Sequence, residues 1–162
     1  MKRKDALSKA NQVLSCLQPH CERIALAGSL RRGASEVKDI DLVCIPKPYQ
    51  IGLFQDGFAS VVNQWPKLKG ELPCRYTQRK LPCDTTLELY MATPQNYGLI
   101  LAIRTGSAKY VYEKLAKRWK RFGYYAKDGR LWYRDKMINI PTEKRLFDIL
   151  HLRSINPENR EL

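Results

Sequence analysis

The sequence predicts an α+β fold, a mixed sheet with helices on one face followed by a smaller α+β unit. Three patterns carry that expectation. Apolar runs at 24–27 and 42–45 flank a Gly-Ser turn, as two buried strands joined by a loop do. Residues 84–91 alternate polar and apolar side chains at strand period. Residues 4–18 and 108–122 instead repeat apolar side chains at helical spacing. At 162 residues the chain suffices for one domain or two small lobes. A change of character at Ser107 places the boundary there, giving units 1–107 and 108–162.

In chain order, Ala6, Leu7, Ala10, Val13, Leu14 and Leu17 define a first amphipathic helix over 4–18 that packs under the sheet. Strand one is expected at 23–28 and strand two at 39–46, ended by Pro46 and Pro48. A helix over 51–65 places Leu53, Phe54, Phe58, Val61, Val62 and Trp65 inward and stops at Pro66, although Gly52 and Gly57 weaken it. Residues 68–77 and 81–92 read as a hairpin joined by Gln78-Arg79-Lys80. In its second strand Leu87, Leu89 and Met91 share one face, and Asp84, Thr86, Glu88 and Tyr90 the other. A helix over 108–122 turns Tyr110, Val111, Leu115, Trp119 and Phe122 inward. Its outer face carries Lys109, Lys114, Lys117, Arg118, Lys120 and Arg121. Gly123 stops it, and 124–133 form a hairpin turning at Asp128-Gly129. Residues 135–140 return as an extended segment. Thr142 then caps a last helix, packed through Leu146, Phe147, Ile149 and Leu150, with Glu143 at its positive end.

The chemistry concentrates in residues 28–42, GSLRRGASEVKDIDL. Asp39 and Asp41 are two apart in a strand and so share a face, while Ile40 and Leu42 enter the core. Two adjacent carboxylates repel unless a cation lies between them. A hard divalent ion carrying a triphosphate satisfies both, because Mg²⁺ takes oxygen ligands and the phosphates complete its octahedron. Gly28, Ser29 and the arginines supply backbone N–H, hydroxyl and guanidinium donors for those phosphates.

The composition narrows the partners. Twenty-nine Lys and Arg against 16 Asp and Glu leave a net charge of +13, which points to a polyanion: nucleic acid or an anionic surface. That balance argues against small acceptors. No apolar run approaches a membrane span, and the basic N-terminus lacks the apolar stretch of a secretory signal. The five cysteines have no zinc-like spacing. Reduced thiols are expected rather than a disulfide between Cys74 and Cys83. There is no internal repeat and no low-complexity linker.

Gly-Ser, a short basic loop with Arg-Arg-Gly, then Asp-x-Asp resembles the polymerase-beta-like nucleotidyltransferase superfamily, and within it the family X DNA polymerases. The likeness extends over nearly the whole chain, as a palm to residue 107 and a thumb after it, closing on Pro157-Glu158 and Arg160. It is to a minimal form of viral type, with no helix-hairpin-helix clamp, lyase or protein-binding module expected.

The resemblance implies transfer of a nucleoside monophosphate from a dNTP to a DNA 3′-hydroxyl with two Mg²⁺ ions, Mn²⁺ being able to substitute. Asp39 and Asp41 would hold both metals. The family's third carboxylate lies seventeen residues before a Thr-Gly pair, and counting back from Thr105 reaches Glu88. The family usually has aspartate there, so Glu88 is the expected third ligand with Asp84 in reserve. The implied nucleotide-binding set is Gly28, Ser29, Arg32, Lys38, Arg104, Thr105 and Gly106. Ile103-Arg104 stands where the family commonly has an aromatic pair lining the sugar, which leaves deoxyribose or ribose preference open. Gapped or primer-template DNA is the implied partner, bound through the basic helix face by a monomer that fills short gaps in repair. The implied location is the cytoplasm, or a host cytoplasm or nucleus for a viral protein. A terminal or RNA nucleotidyltransferase of the same fold, or a catalytically lapsed nucleic-acid-binding module, remains the alternative.

Overall fold

The computed structural model describes residues 1–47 and 57–162. The elements run α1 (Arg3–Leu17), β1 (Cys21–Leu26), α2 (Gly28–Arg31), β2 (Ile40–Pro46), α3 (Gly57–Val62), β3 (Lys67–Lys69), β4 (Tyr76–Leu81), β5 (Thr85–Met91) and α4 (Tyr97–Thr105). There follow α5 (Ala108–Tyr110), a π turn (Val111–Ala116) and α6 (Lys117–Arg121), wound as one continuous helical run. A second sheet, β6 (Tyr124–Lys127), β7 (Arg130–Tyr133) and β8 (Lys136–Ile138), precedes α7 (Glu143–Ile149). The fold is α+β.

The first sheet is mixed, in the order β1-β2-β5-β4-β3, with only the β2–β5 pair parallel. Its two faces bury different residues because strand side chains alternate. Ile40, Leu42, Cys44, Leu87 and Leu89 pack with Ala6, Ala10, Val13 and Leu17 of α1 and with Phe58 and Val62 of α3. Val43, Ile45, Tyr90 and Ala92 face the other way, onto Tyr97 and Leu101 of α4. The expected layer of helices on one face is therefore α1 and α3, and α4 adds partial cover on the opposite face. Leu99 and Ala102, on the far side of α4, enter the core of the second unit with Tyr110, Leu115, Trp119, Leu131, Ile140, Leu146 and Phe147. That helix thus belongs to both cores.

Several boundaries move. Strand one ends at Leu26, because Gly28 has φ +58 and starts a helical turn. The first hairpin turns at 82–84, not at Gln78-Arg79-Lys80. Those three polar residues lie mid-strand, with Thr77, Arg79 and Leu81 all buried on one face. Pro82 cannot donate to a ladder. Cys83 and Asp84 adopt left-handed backbone, φ 59 and 61, which closes the turn. Of the helix expected over 51–65, Gly57–Val62 is present, and Leu53 and Phe54 lie outside the described residues. The 108–122 helix holds, but its π turn was not foreseen. Tyr110 and Leu115 are five residues apart, and the wider turn brings both inward, each almost fully buried. The Asp128-Gly129 turn and the Thr142 cap, whose hydroxyl accepts from Arg145 N–H at 3.2 Å, are as expected. All five cysteines are free thiols.

Candidate functional site

The site forms where β2 and β5 run side by side. Their parallel register sets Asp41 directly opposite Glu88, so both side chains leave the same face of the sheet. Asp39 lies two residues ahead of Asp41, just before β2 begins. Burial first, then the charges of Glu88 and Asp39, raise Asp41 from its ordinary value to about 7, against opposition from Arg104 and Arg32. Burial and Glu88 also raise Asp39, with Lys38 opposing. Among the described residues, no three His, Cys, Asp or Glu side chains close into a ligand cage. Glu88 instead accepts hydrogen bonds from Gln78 Nε2 at 2.8 Å and from the Tyr90 hydroxyl at 2.5 Å.

Gly28 is required here on two counts. Its φ is +58, and a Cβ at this position would lie 1.9 Å from Asp41 Oδ2. The chain has to pass directly over the carboxylate. The Ala27 N–H donates to the Asp41 carbonyl at 2.9 Å, which locks the Gly-Ser loop to the strand that bears the aspartate.

A cleft of about 650 Å³ opens beside Asp41 and Tyr90, within the size range of small-molecule sites; Asp39 and Glu88 are not among its lining residues. It is lined by Gly28, Ser29, Arg32 and Asp41, by Arg104 and Gly106, and by Tyr112 and Trp119 of the helical run. Arg104 lies over the Tyr90 ring, its guanidinium carbon 4.2 Å from the ring centroid.

Other expected site residues are placed differently. Asp84 is 89% exposed in the hairpin turn and paired with Lys80, so Glu88 is the acidic side chain that faces Asp41. Lys38 is exposed and lines a separate cleft with Asp5, Lys9 and Cys83 on the α1 side. Thr105 is buried: its hydroxyl accepts from Arg31 at 2.5 Å and its carbonyl from Arg32 at 2.8 Å. It therefore anchors the arginines rather than lining the cleft. Arg32 does line the cleft, but its Nε also donates to Glu161 at 2.6 Å. Arg31 is withdrawn altogether, bidentate on Glu143 at 2.8 and 2.7 Å.

On the basic helix, Lys109, Lys114, Lys120 and Arg121 are exposed, and Lys117 is exposed but paired with Glu113. Arg118 is not part of that surface. Its guanidinium donates to the carbonyls of Leu150 and His151, at 2.6 and 3.1 Å, and satisfies the C-terminal end of α7.

Sequence reasoning missed Tyr90, Gln78 and Tyr112. Tyr90 stood two residues from Glu88 and so was legible as its same-face neighbour. Gln78 was hidden because it had been assigned to a turn. No protein-family model matches the chain, and no curated protein matches it at a significant level. No helix among the described residues is long and apolar enough to cross a membrane.

Proposed function

We propose that the protein is a family X type DNA polymerase, adding dNMP from a dNTP to a DNA 3′-hydroxyl. The observation that carries this reading is the Asp41–Glu88 register pair, with Asp39 two residues away and a glycine-loop crossing directly above. Burial and the nearby Glu88 charge raise Asp39 and Asp41, so the site gains from a divalent cation, and an all-oxygen donor set fits Mg²⁺. Asp39, Asp41 and Glu88 would hold the metal. Bound there, it supplies charge neutralisation for the attacking and leaving oxygens.

The chain's own residues do the rest. Ser29 and Arg32, which line the cleft with Gly28, bind the triphosphate. Arg104 offers a second cation beside the reacting phosphate, and its contact with Tyr90 keeps it there. The 3′-oxygen forms its bond to the α-phosphorus as the α–β phosphoanhydride bond breaks and pyrophosphate leaves. The hydroxyl proton passes to the Glu88 carboxylate. Lys109, Lys114, Lys120 and Arg121 present a cationic helix face to DNA phosphates, so affinity falls steeply with salt.

The test is extension of a gapped duplex with dNTPs and Mg²⁺. Wild type extends and Asp41→Ala does not; equal extension by both ends the assignment. Ribonucleotides run alongside, on single-stranded, gapped and RNA ends, identify a terminal or RNA transferase of the same fold. DNA binding with no Mg²⁺-dependent nucleotide binding identifies a lapsed module.

A further inference from the structure

We propose that Gln78 and Tyr90 are positioning residues that clamp both oxygens of Glu88 and thereby orient the longest of the three acidic side chains for cation binding. The inference rests on the reading of Asp39, Asp41 and Glu88 as a metal-binding set.

The register explains why these two residues do it. Glu88 has Asp41 as its neighbour on β2 and Gln78 as its neighbour on β4. One flank supplies the carboxylate that shares the cation, and the other supplies a donor. Tyr90, two residues on along the same face, reaches back to the second oxygen. Gln78 Nε2 donates to Oε1 at 2.8 Å and the Tyr90 hydroxyl donates to Oε2 at 2.5 Å. A free glutamate loses rotamer entropy on being fixed. Here that cost is met before any ligand arrives. Each oxygen accepts one hydrogen bond and keeps a lone pair for a cation.

Tyr90 is itself held. Its ring stacks on Tyr76, with centroids 4.9 Å apart at 27°, and Arg104 covers it 4.2 Å away. Burial, then the bond to Glu88, raise its hydroxyl above the ordinary value, so it stays a proton donor at neutral pH. An aspartate at 88, one methylene shorter, would draw the carboxylate back from both donors. The glutamate and its two donors therefore read as one unit, and the extra reach is taken up by the clamp.

The experiment is calorimetric Mn²⁺ titration of the full chain in the absence of nucleotide, with melting followed in metal-free buffer. Loss of a hydrogen-bonded partner behind a metal ligand typically lowers affinity by about 10- to 100-fold. Tyr90→Phe should weaken Mn²⁺ by roughly that factor and melt close to wild type, because the ring stays in its stack. Gln78→Ala should weaken it in the same direction. In a Glu88→Ala background, adding Tyr90→Phe should change nothing further. Wild-type or tighter Mn²⁺ binding by Tyr90→Phe overturns the clamp, and so does a weakening that persists without Glu88. A wild-type protein that binds no Mn²⁺ overturns instead the metal reading beneath it.

Discussion

Replacing Asp41 by asparagine should make the metal-free protein more stable while removing the proposed polymerase activity. In the folded chain burial, then the Glu88 and Asp39 charges, push the Asp41 carboxyl from 3.8 up to about 7. An acid with a raised folded pKa is penalised once ionised. The penalty is absent below pH 4, grows as pH rises from there to 7, and is complete above 8. A rise of about three units at about 1.36 kcal/mol each sets an upper bound near ~4 kcal/mol. Asp41 is partly open to water, so a net gain of about 2 kcal/mol is expected for Asp41→Asn at pH 8. In a chain of this size that raises the melting temperature by roughly 4–8 °C. The assay is thermal melting in chelator at pH 5 and pH 8, repeated with excess Mg²⁺. The gap between variant and wild type should be largest at pH 8 and close towards pH 4. Mg²⁺ should stabilise wild type and leave Asp41→Asn almost unmoved. A variant that melts at or below wild type at pH 8, or a gap indifferent to pH, would show that the carboxylates do not crowd one another.

Three further outcomes concern Glu143, Arg118 and Tyr110. Glu143→Ala strands Arg31 and the buried Arg160, whose side chain is 3% exposed, with no counter-ion. Loss of about 3–5 kcal/mol and a melting temperature lower by roughly 10 °C are expected. In wild type, burial raises Glu143, but bonds from Arg31 and Arg160 outweigh it and leave the carboxyl below its ordinary 4.5. Its stabilisation is therefore present above that pH and fades as pH falls through the folded value, which acid melts of wild type and variant will resolve. Arg118→Ala should lower stability by about 1–2 kcal/mol with the salt slope of DNA binding unchanged, whereas Arg121→Ala should reduce that slope by about one and spare stability. Equal slopes for the two variants would place Arg118 back on the DNA face. Tyr110→Phe should be neutral or stabilising by about 1 kcal/mol, read by denaturant melts, because the hydroxyl is buried without a hydrogen-bond partner.

The acidic set was legible because strand period and motif spacing are local. Asp39-Ile40-Asp41 announces its own two faces, and counting from Thr105 found Glu88 without knowledge of the register. The arginines were not legible. Arg31 and Arg32 sit in the loop that ought to greet phosphates, yet Arg31 is bound to Glu143, 112 residues away, and Arg32 to Glu161, 129 residues away. Nothing in a sequence window distinguishes a guanidinium that waits for a ligand from one that ties two lobes together. Likewise, nothing local marks Arg118 as the side chain that bonds the Leu150 and His151 carbonyls. Arg79 shows the converse error, since three consecutive polar residues read as a turn when one of them is 2% exposed in mid-strand.

Those distant pairs also make the cleft a property of both lobes. Arg31 donates at once to Thr105, at the end of α4, and to Glu143, at the start of α7, and Glu143 in turn holds Arg160 near the C-terminus. Arg32, one residue on, joins the Thr105 carbonyl to Glu161. The short turn that carries Gly28 across Asp41 therefore also fixes the end of α4, from which Arg104 and Gly106 enter the cleft. A change in the packing of α7 or the C-terminal residues would reach the carboxylates through two covalently adjacent arginines. On this geometry Glu143→Ala should disturb Mn²⁺ affinity as well as stability, although Glu143 lines no part of the cleft. Unchanged Mn²⁺ affinity in a destabilised Glu143→Ala protein would show the two lobes to be independent at the site.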